Sequence, residues 1–234
     1  MFVVAGQAAK SGAADDSAQV GQQLGLRGTR ERQGLNLREV ARRLEISAGA
    51  FSQIETGKSR PSVKTLYAIV SELGLSINQL FAAHDAKHGG GDGQAEAGDG
   101  APRDAAPSPI VQRADSRSSL DLDSGVSWDR LTAANDPNVD FLHNTYDPGS
   151  SSSGSEKLVR HNGREYGPLL SGELELTVGF ERYTLKLGDS CSFDSSAPHR
   201  LANPGSEPAA AIWFVIGRRQ SDVDSHRREP KRVK

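Results

Sequence analysis

With 234 residues, 35% hydrophobic content and a mean hydropathy of -0.53, the chain has room for two modest folded domains that share its length with solvated segments. No apolar run reaches the roughly 18 residues of a membrane span, and the N-terminus lacks the basic start and long apolar core of a signal peptide, so a soluble cytoplasmic protein with no membrane partner is expected. Cys191 is the only cysteine, which excludes an intrachain disulfide, and it reads as a small, buried or half-buried residue.

The net charge of -2 hides an asymmetry. Residues 20–82 carry nine Lys/Arg against five Asp/Glu, residues 83–217 eleven against twenty, and the last 17 residues seven against three. A basic front beside an acidic middle implies that only the front approaches a polyanion.

Residues 1–19 are rich in Ala, Gly, Asp and Ser, lack periodicity and read as a disordered tail. A first helix is expected from about Val20 to Gln33, with Val20, Leu24 and Leu26 apolar and Arg27, Arg30 and Arg32 exposed. Gly21, Gly25 and Gly28 each weaken it by up to about 1 kcal/mol relative to Ala, so packing must hold it. Asn36 is a good N-cap for a second helix, and Glu39 completes a capping-box pattern. Leu37, Val40, Ala41 and Leu44 share one face of that helix. Glu45-Ile46-Ser47 makes a turn, with Ser47 capping a third helix whose Phe51 and Ile54 face the core. Gly57 sits where a left-handed cap would end it. Pro61-Ser62 opens a fourth helix with Val63, Leu66, Ile69, Val70 and Leu73 apolar, and Gly74 closes it. Ser76 and Gln79 form another capping box for a short last helix ending near Phe81. Residues 20–82 therefore make one all-helical, five-helix domain.

Residues 83–109 collapse into Gly, Ala, Asp and Pro and read as a flexible linker that leaves its neighbours loosely coupled. From there to residue 217 the period is two. Leu174, Leu176 and Val178 alternate with polar residues, as do Tyr183, Leu185 and Leu187, and turn signals punctuate the strands. Ala209 to Ile216 is an apolar closing strand. Such strands imply an all-β antiparallel barrel or jelly roll. The serine run at 150–155 reads as a turn, and His143 as an ordinary strand residue. Residues 218–234 form a basic, solvated tail.

Within the helical domain, GLNLREVARRLEIS, FSQIETG and the following RPS resemble the helix-turn-helix of the lambda-repressor-like (XRE) regulators. A recognition helix that enters the major groove presents its first two turns to base edges. Ala48, Gly49, Ser52 and Gln53 are then the candidates to face bases, and Gln pairs well with adenine. Ser47, Lys58, Arg60 and Arg38 are the candidates for phosphate contact. Two features depart from the family: Ala48 and Gly49 carry almost no hydrogen-bonding capacity, and Thr29 stands where a core Leu is usual. Double-stranded DNA is the expected partner, read by a homodimer because one recognition helix covers only a few base pairs.

RHNGREYGPLLSGELEL and GDSCSFDSSAPHRLAN resemble the two motifs of the cupin barrels, the double-stranded β-helix or jelly-roll fold. The family's first histidine is replaced by Val159, leaving His161, Glu165 and His199. That set implies one divalent metal (Fe, Zn, Ni or Mn), and two His plus one carboxylate suit non-haem Fe(II) chemistry. Three readings stay open: a metal that supports sensing of a small-molecule effector, retained residues that hold no metal, and a catalytic iron. The pattern also resembles the iron-dependent hydroxypropylphosphonate epoxidase. The whole-chain likeness is closer to XRE–cupin transcriptional regulators, in which the barrel senses and dimerises, and no enzyme activity is then expected. Tyr166, Phe193 and Asn203 are the expected effector-pocket residues. Pro168 argues for an edge strand or bulge before Gly172.

Overall fold

A computed structural model describes residues 25–85, 108–123, 125–134, 136, 138–153 and 158–217. The tail at 1–19, the start of the first helix at 20–24, most of the linker and the basic tail at 218–234 lie outside the described residues.

Five helices follow one another: α1 (Leu26–Arg32), α2 (Leu37–Arg43), α3 (Ala48–Glu55), α4 (Val63–Glu72) and α5 (Ile77–Asp85). Their boundaries are written in capping chemistry. Asn36 Oδ1 accepts from the Arg38 amide at 2.9 Å, and Ser47 Oγ accepts from the Ala50 amide at 3.0 Å. Ser76 and Gln79 form a reciprocal box, with bonds of 2.8 and 3.1 Å. Glu39 does not close the box expected with Asn36; its carboxylate turns along the helix to Arg43 instead. Gly57 ends α3 at φ 74°, which lets the Lys58 amide reach the Gln53 carbonyl at 2.8 Å. Leu26, Val40, Phe51, Ile54, Leu66, Ile69, Leu73, Ile77 and Leu80 fill the space between the helices. Each such side chain contributes about 1.5–3 kcal/mol through burial.

After a 3₁₀ turn (Ala114–Ser116) come nine strands: β1 (Ser119–Asp121), β2 (Val126–Arg130), β3 (Val139–Tyr146), β4 (Arg164–Ser171), β5 (Glu173–Val178), β6 (Glu181–Lys186), β7 (Ser190–Asp194), β8 (His199–Ala202) and β9 (Ala209–Ile216). They form a six-stranded sheet in the order β1-β2-β3-β9-β4-β7 and a three-stranded sheet in the order β6-β5-β8. All the pairings are antiparallel. Strict alternation in β2, β3 and β9 sends Trp128, Leu142, Tyr146, Ala211, Trp213 and Val215 inward. The irregularity expected at Pro168 is a bulge: β4 lies between β9 and β7, and its register against β9 shifts between Leu169 and Ser171. In β6, an edge strand, only Leu185 is buried, whereas Tyr183 faces solvent, as does Leu187 just after it. The serine run read as a turn is described only to Ser153, and that part is not solvated. Ser150 to Ser153 are buried, Ser151 bridges to Ala202, and Ser152 Oγ accepts from the Leu201 amide at 3.1 Å.

Loose coupling of the two domains is not what the structure has. Asn78 Nδ2, fully buried on α5, donates to the carbonyls of Asp136 and Val139 at 2.6 and 2.8 Å. The Asp123 amide donates to the Pro61 carbonyl at 2.9 Å, and the Lys64 amide to the Ser152 carbonyl at 3.3 Å. Tyr67 packs its ring 5.5 Å from that of Trp128, and the Arg130 guanidinium lies 5.9 Å from the Phe81 ring centre. The linker composition carried no sign of this contact. The residues that make it are buried polar and aromatic groups spread over both domains.

Candidate functional site

On the helical domain, α3 presents two different faces. Phe51, Ile54 and Glu55 turn inward, while Gly49 and Gln53 are exposed and Ala48 and Ser52 half-exposed. Ser47 at the N-cap, Arg38 on α2 and Lys58 after α3 are exposed beside this face. Arg60 is half-exposed and faces Asp121 of β1 at 3.4 Å, so a phosphate would compete with that carboxylate for it.

Behind the exposed face stands a buried ion pair. Arg30 Nε and Nη2 grip Glu55 at 2.7 and 3.1 Å, and Nη1 donates to the Leu35 carbonyl at 2.9 Å. The bond to Glu55 outweighs burial and raises the guanidinium further above its usual range. Arg30 was expected on the surface. The correction follows from Glu55, whose carboxylate could not be buried at the end of α3 without a bidentate partner. The pair fixes α3 against α1, and so fixes the direction in which the exposed face points.

In the barrel, three side chains converge. Glu165 points inward from β4, His199 from the start of β8, and His161 from the loop before β4; one ligand atom from each lies within 4.8 Å of the others. Glu165 Oε1 is 2.9 Å from His161 Nε2 and 3.2 Å from His199 Nε2. Glu165 Oε1 and His161 Nε2 are nevertheless not aligned as a hydrogen-bonded pair with any group. All three ligand atoms thus stand close enough together to share one cation. Each histidine has its Nδ1 beside a backbone carbonyl, Asn162 O at 3.1 Å for His161 and Ala197 O at 2.9 Å for His199. A carbonyl can only accept, so Nδ1 carries the proton and Nε2 offers its lone pair to the centre. Trp213 Nε1 donates to Glu165 Oε2 at 2.6 Å, which leaves Oε1 for the same centre. This donor set fits a divalent cation.

Electrostatics agree with a cation-seeking site. Burial pushes the Glu165 carboxyl up, but the two imidazoles more than offset this and hold it well below the usual carboxylate range. Burial pulls His199 down, yet its contact with the Glu165 carboxylate wins and raises it. The Cys191 thiol is pushed up to about 11, chiefly by burial and then by the Glu165 charge, so it stays protonated at neutral pH.

The pocket around the cluster is narrower than the sequence implied. Phe193 lies beside it, its ring 5.0 Å from that of His199. Tyr166 does not reach it: with Glu165 inward, strand alternation turns Tyr166 out, where it lies beneath Arg164. Asn203 is also not a pocket group. Its Nδ2 donates to the Tyr146 and Glu207 carbonyls and its Oδ1 accepts from the Gly205 amide, so it pins a turn. The aromatic groups Tyr67, Trp128, Tyr146 and Trp213 take their place on the wall. Gly167, in the middle of β4, makes room for one of them, since a Cβ there would sit 1.9 Å from the Trp213 ring.

Comparisons with known proteins match both halves separately. A family profile described as a helix-turn-helix matches residues 26–80, and one described as a cupin domain matches residues 143–215. HTH-type transcriptional regulator PuuR of Escherichia coli is 27% identical over 177 residues, spanning 74% of this chain and 83% of that protein. The chain is a helix-turn-helix transcriptional regulator with a cupin domain. Transcriptional regulator ClgR of Mycobacterium tuberculosis is 43% identical to this regulator over 56 residues, 24% of this chain and 50% of that one. The crystal structure of an HTH_3-family transcriptional regulator from Vibrio cholerae shares the fold, with a TM-score of 0.58 at 21% identity, over 87% of this chain and 97% of that one. The described helices include none long and apolar enough to cross a membrane.

Sequence reasoning missed Tyr67, Trp128, Asn144 and Tyr146. Tyr67 stands in an ordinary helical pattern, and only the packing of α4 on the barrel gives it a second role. Trp128 and Asn144 lay in the alternation of β2 and β3, which a period-two reading ahead of the motif region could have flagged as inward.

Proposed function

We propose that the regulator works as a cytoplasmic homodimer that reads a two-fold DNA site with α3 and senses a small molecule in its barrel. The observation that carries this reading is the exposed face of α3, held by the buried Arg30–Glu55 pair while the barrel packs against α4 and α5. Gln53 pairs with a base edge, Ser52 supplies a shorter contact, and Ala48 and Gly49 let the backbone approach the groove closely. Ser47, Arg38 and Lys58 hold phosphates, and Arg60 joins them when it leaves Asp121. With so few hydrogen-bonding groups at its tip, α3 relies in part on DNA shape.

His161, Glu165 and His199 hold one divalent cation, with Fe, Zn, Ni and Mn as the candidates. When bound, the cation supplies a Lewis-acidic attachment point for an effector. The chain's own part is to keep both imidazole Nε2 atoms deprotonated and to steady Glu165 through Trp213. An effector changes DNA affinity to the extent that it binds two arrangements of the chain unequally.

A second reading keeps the same donor set for chemistry, because two histidines and one carboxylate leave positions open on an iron. One set of measurements separates the two: metal content of the purified protein, oxygen uptake with small substrates, and DNA binding over a salt series. The regulator reading expects sequence-selective binding and no turnover. Oxygen consumption with stoichiometric iron would favour the enzyme. His161→Ala should abolish metal uptake while leaving DNA binding intact; a variant that still binds metal would show that the cluster is not the site.

A further inference from the structure

The roof of the barrel pocket belongs to the other domain. Val63 and Tyr67 of α4 line it together with barrel residues that include Trp128, Asn144 and His199. The Tyr67 ring lies 4.3 Å from the His161 ring at an interplanar angle of 35°, and 5.5 Å from that of Trp128. With Tyr67 in place the pocket offers about 20 Å³, which admits a water or an ion but no organic molecule. Two polar atoms of this wall are nonetheless buried without a hydrogen-bond partner: Trp128 Nε1, a donor, and Asn144 Oδ1, an acceptor. They belong to cross-strand neighbours on β2 and β3, residues 2% and 3% exposed. Such atoms are costly to bury unless something pairs them.

We infer that the barrel takes a small flat aromatic molecule with a hydroxyl-like edge, that this molecule replaces the Tyr67 ring beside His161 and Trp128, and that a filled barrel and a docked DNA-binding domain exclude one another. The inference rests on the reading of the barrel as a sensor. The slot left by Tyr67 borders the His161 imidazole and the Trp128 indole, which suits a ring. A hydroxyl on that ring can accept from Trp128 Nε1 and donate to Asn144 Oδ1. The contacts that hold α4 down, from Pro61, Lys64 and Arg60 to the barrel, all lie within seven residues of Tyr67, so displacing the ring loosens the dock itself.

The test uses p-cresol, the tyrosine side chain without its backbone, titrated calorimetrically into the full-length protein. Apparent affinity falls with the fraction of molecules whose mouth is open, so Tyr67→Ala should bind p-cresol at least about tenfold more tightly than the wild type. A second arm avoids any change in the pocket. Arg60→Cys with Asp121→Cys, in a Cys191→Ala background, places two thiols across the dock for bridging by a short bismaleimide. Bridging should weaken p-cresol binding at least about tenfold relative to the same protein unbridged. Equal affinity before and after bridging overturns the inference, and so does a folded Tyr67→Ala protein that does not bind p-cresol. No DNA enters the experiment, so failure of the DNA-reading proposal and failure of this one show up in different measurements.

Discussion

Glu55 ends α3 with its side chain only 2% exposed, and Arg30 is what makes that tolerable. Removing one partner of such a pair leaves an uncompensated buried charge, so Arg30→Ala should cost about 3–5 kcal/mol. Urea unfolding of the helical domain's transition checks this, and a loss under 1 kcal/mol would show the pair to be incidental. Gln53 lies on the opposite face and should behave oppositely. Gln53→Ala is expected to leave stability unchanged and to cost roughly 1–3 kcal/mol at one base position, with non-specific affinity spared. Binding to a set of single-base operator variants reads it directly, and unchanged base preference would remove Gln53 from the reading set. In the barrel, Gly167→Ala should drive the Trp213 indole off β4 and away from Glu165. The expected signature is overpacking of about 1–3 kcal/mol with metal affinity down roughly 10–100-fold, as for loss of an outer hydrogen bond to a ligand. Metal titration by calorimetry would refute this if affinity were unchanged.

At the scale of elements, the helices were legible because their ends are spelled in local chemistry. Asn36, Ser47, Ser62 and Ser76 act within three residues of themselves, and a single sequence displays such short-range bonds. Arg30 was misread for the complementary reason: its partner is 25 residues away, and nothing local distinguishes it from Arg27 or Arg32. Strand alternation was equally readable in β5, yet Tyr166 was placed on the wrong face because Glu165 beside it had already taken the inward position. One turn carries a local cost. Glu45, between α2 and α3, has φ 57°, the left-handed region that disfavours a residue with a Cβ. Glu45→Gly should stabilise the helical domain by about 1 kcal/mol, and a thermal melt showing no gain would mean that the side chain offsets the strain.

Over the whole molecule, the two domains were each visible in the sequence, one by its caps and the other by its motifs, but their contact was not. A Gly- and Ala-rich linker describes how far two domains can part and says nothing of whether they hold together. Asn78 and Tyr67 decide that, and each looks unremarkable in its own helix. The helical domain that presents α3 also closes the mouth of the barrel, which ties the proposed reading of DNA sequence by α3 to the state of the barrel. The most direct measurement is the affinity of the full-length protein, at fixed physiological salt, for a duplex selected from random sequence against the same duplex scrambled. The prediction is a selected site with two related halves one helical turn apart, bound at least about 10³-fold more tightly than the scramble. Equal affinity for both, falling together with added salt, would contradict it.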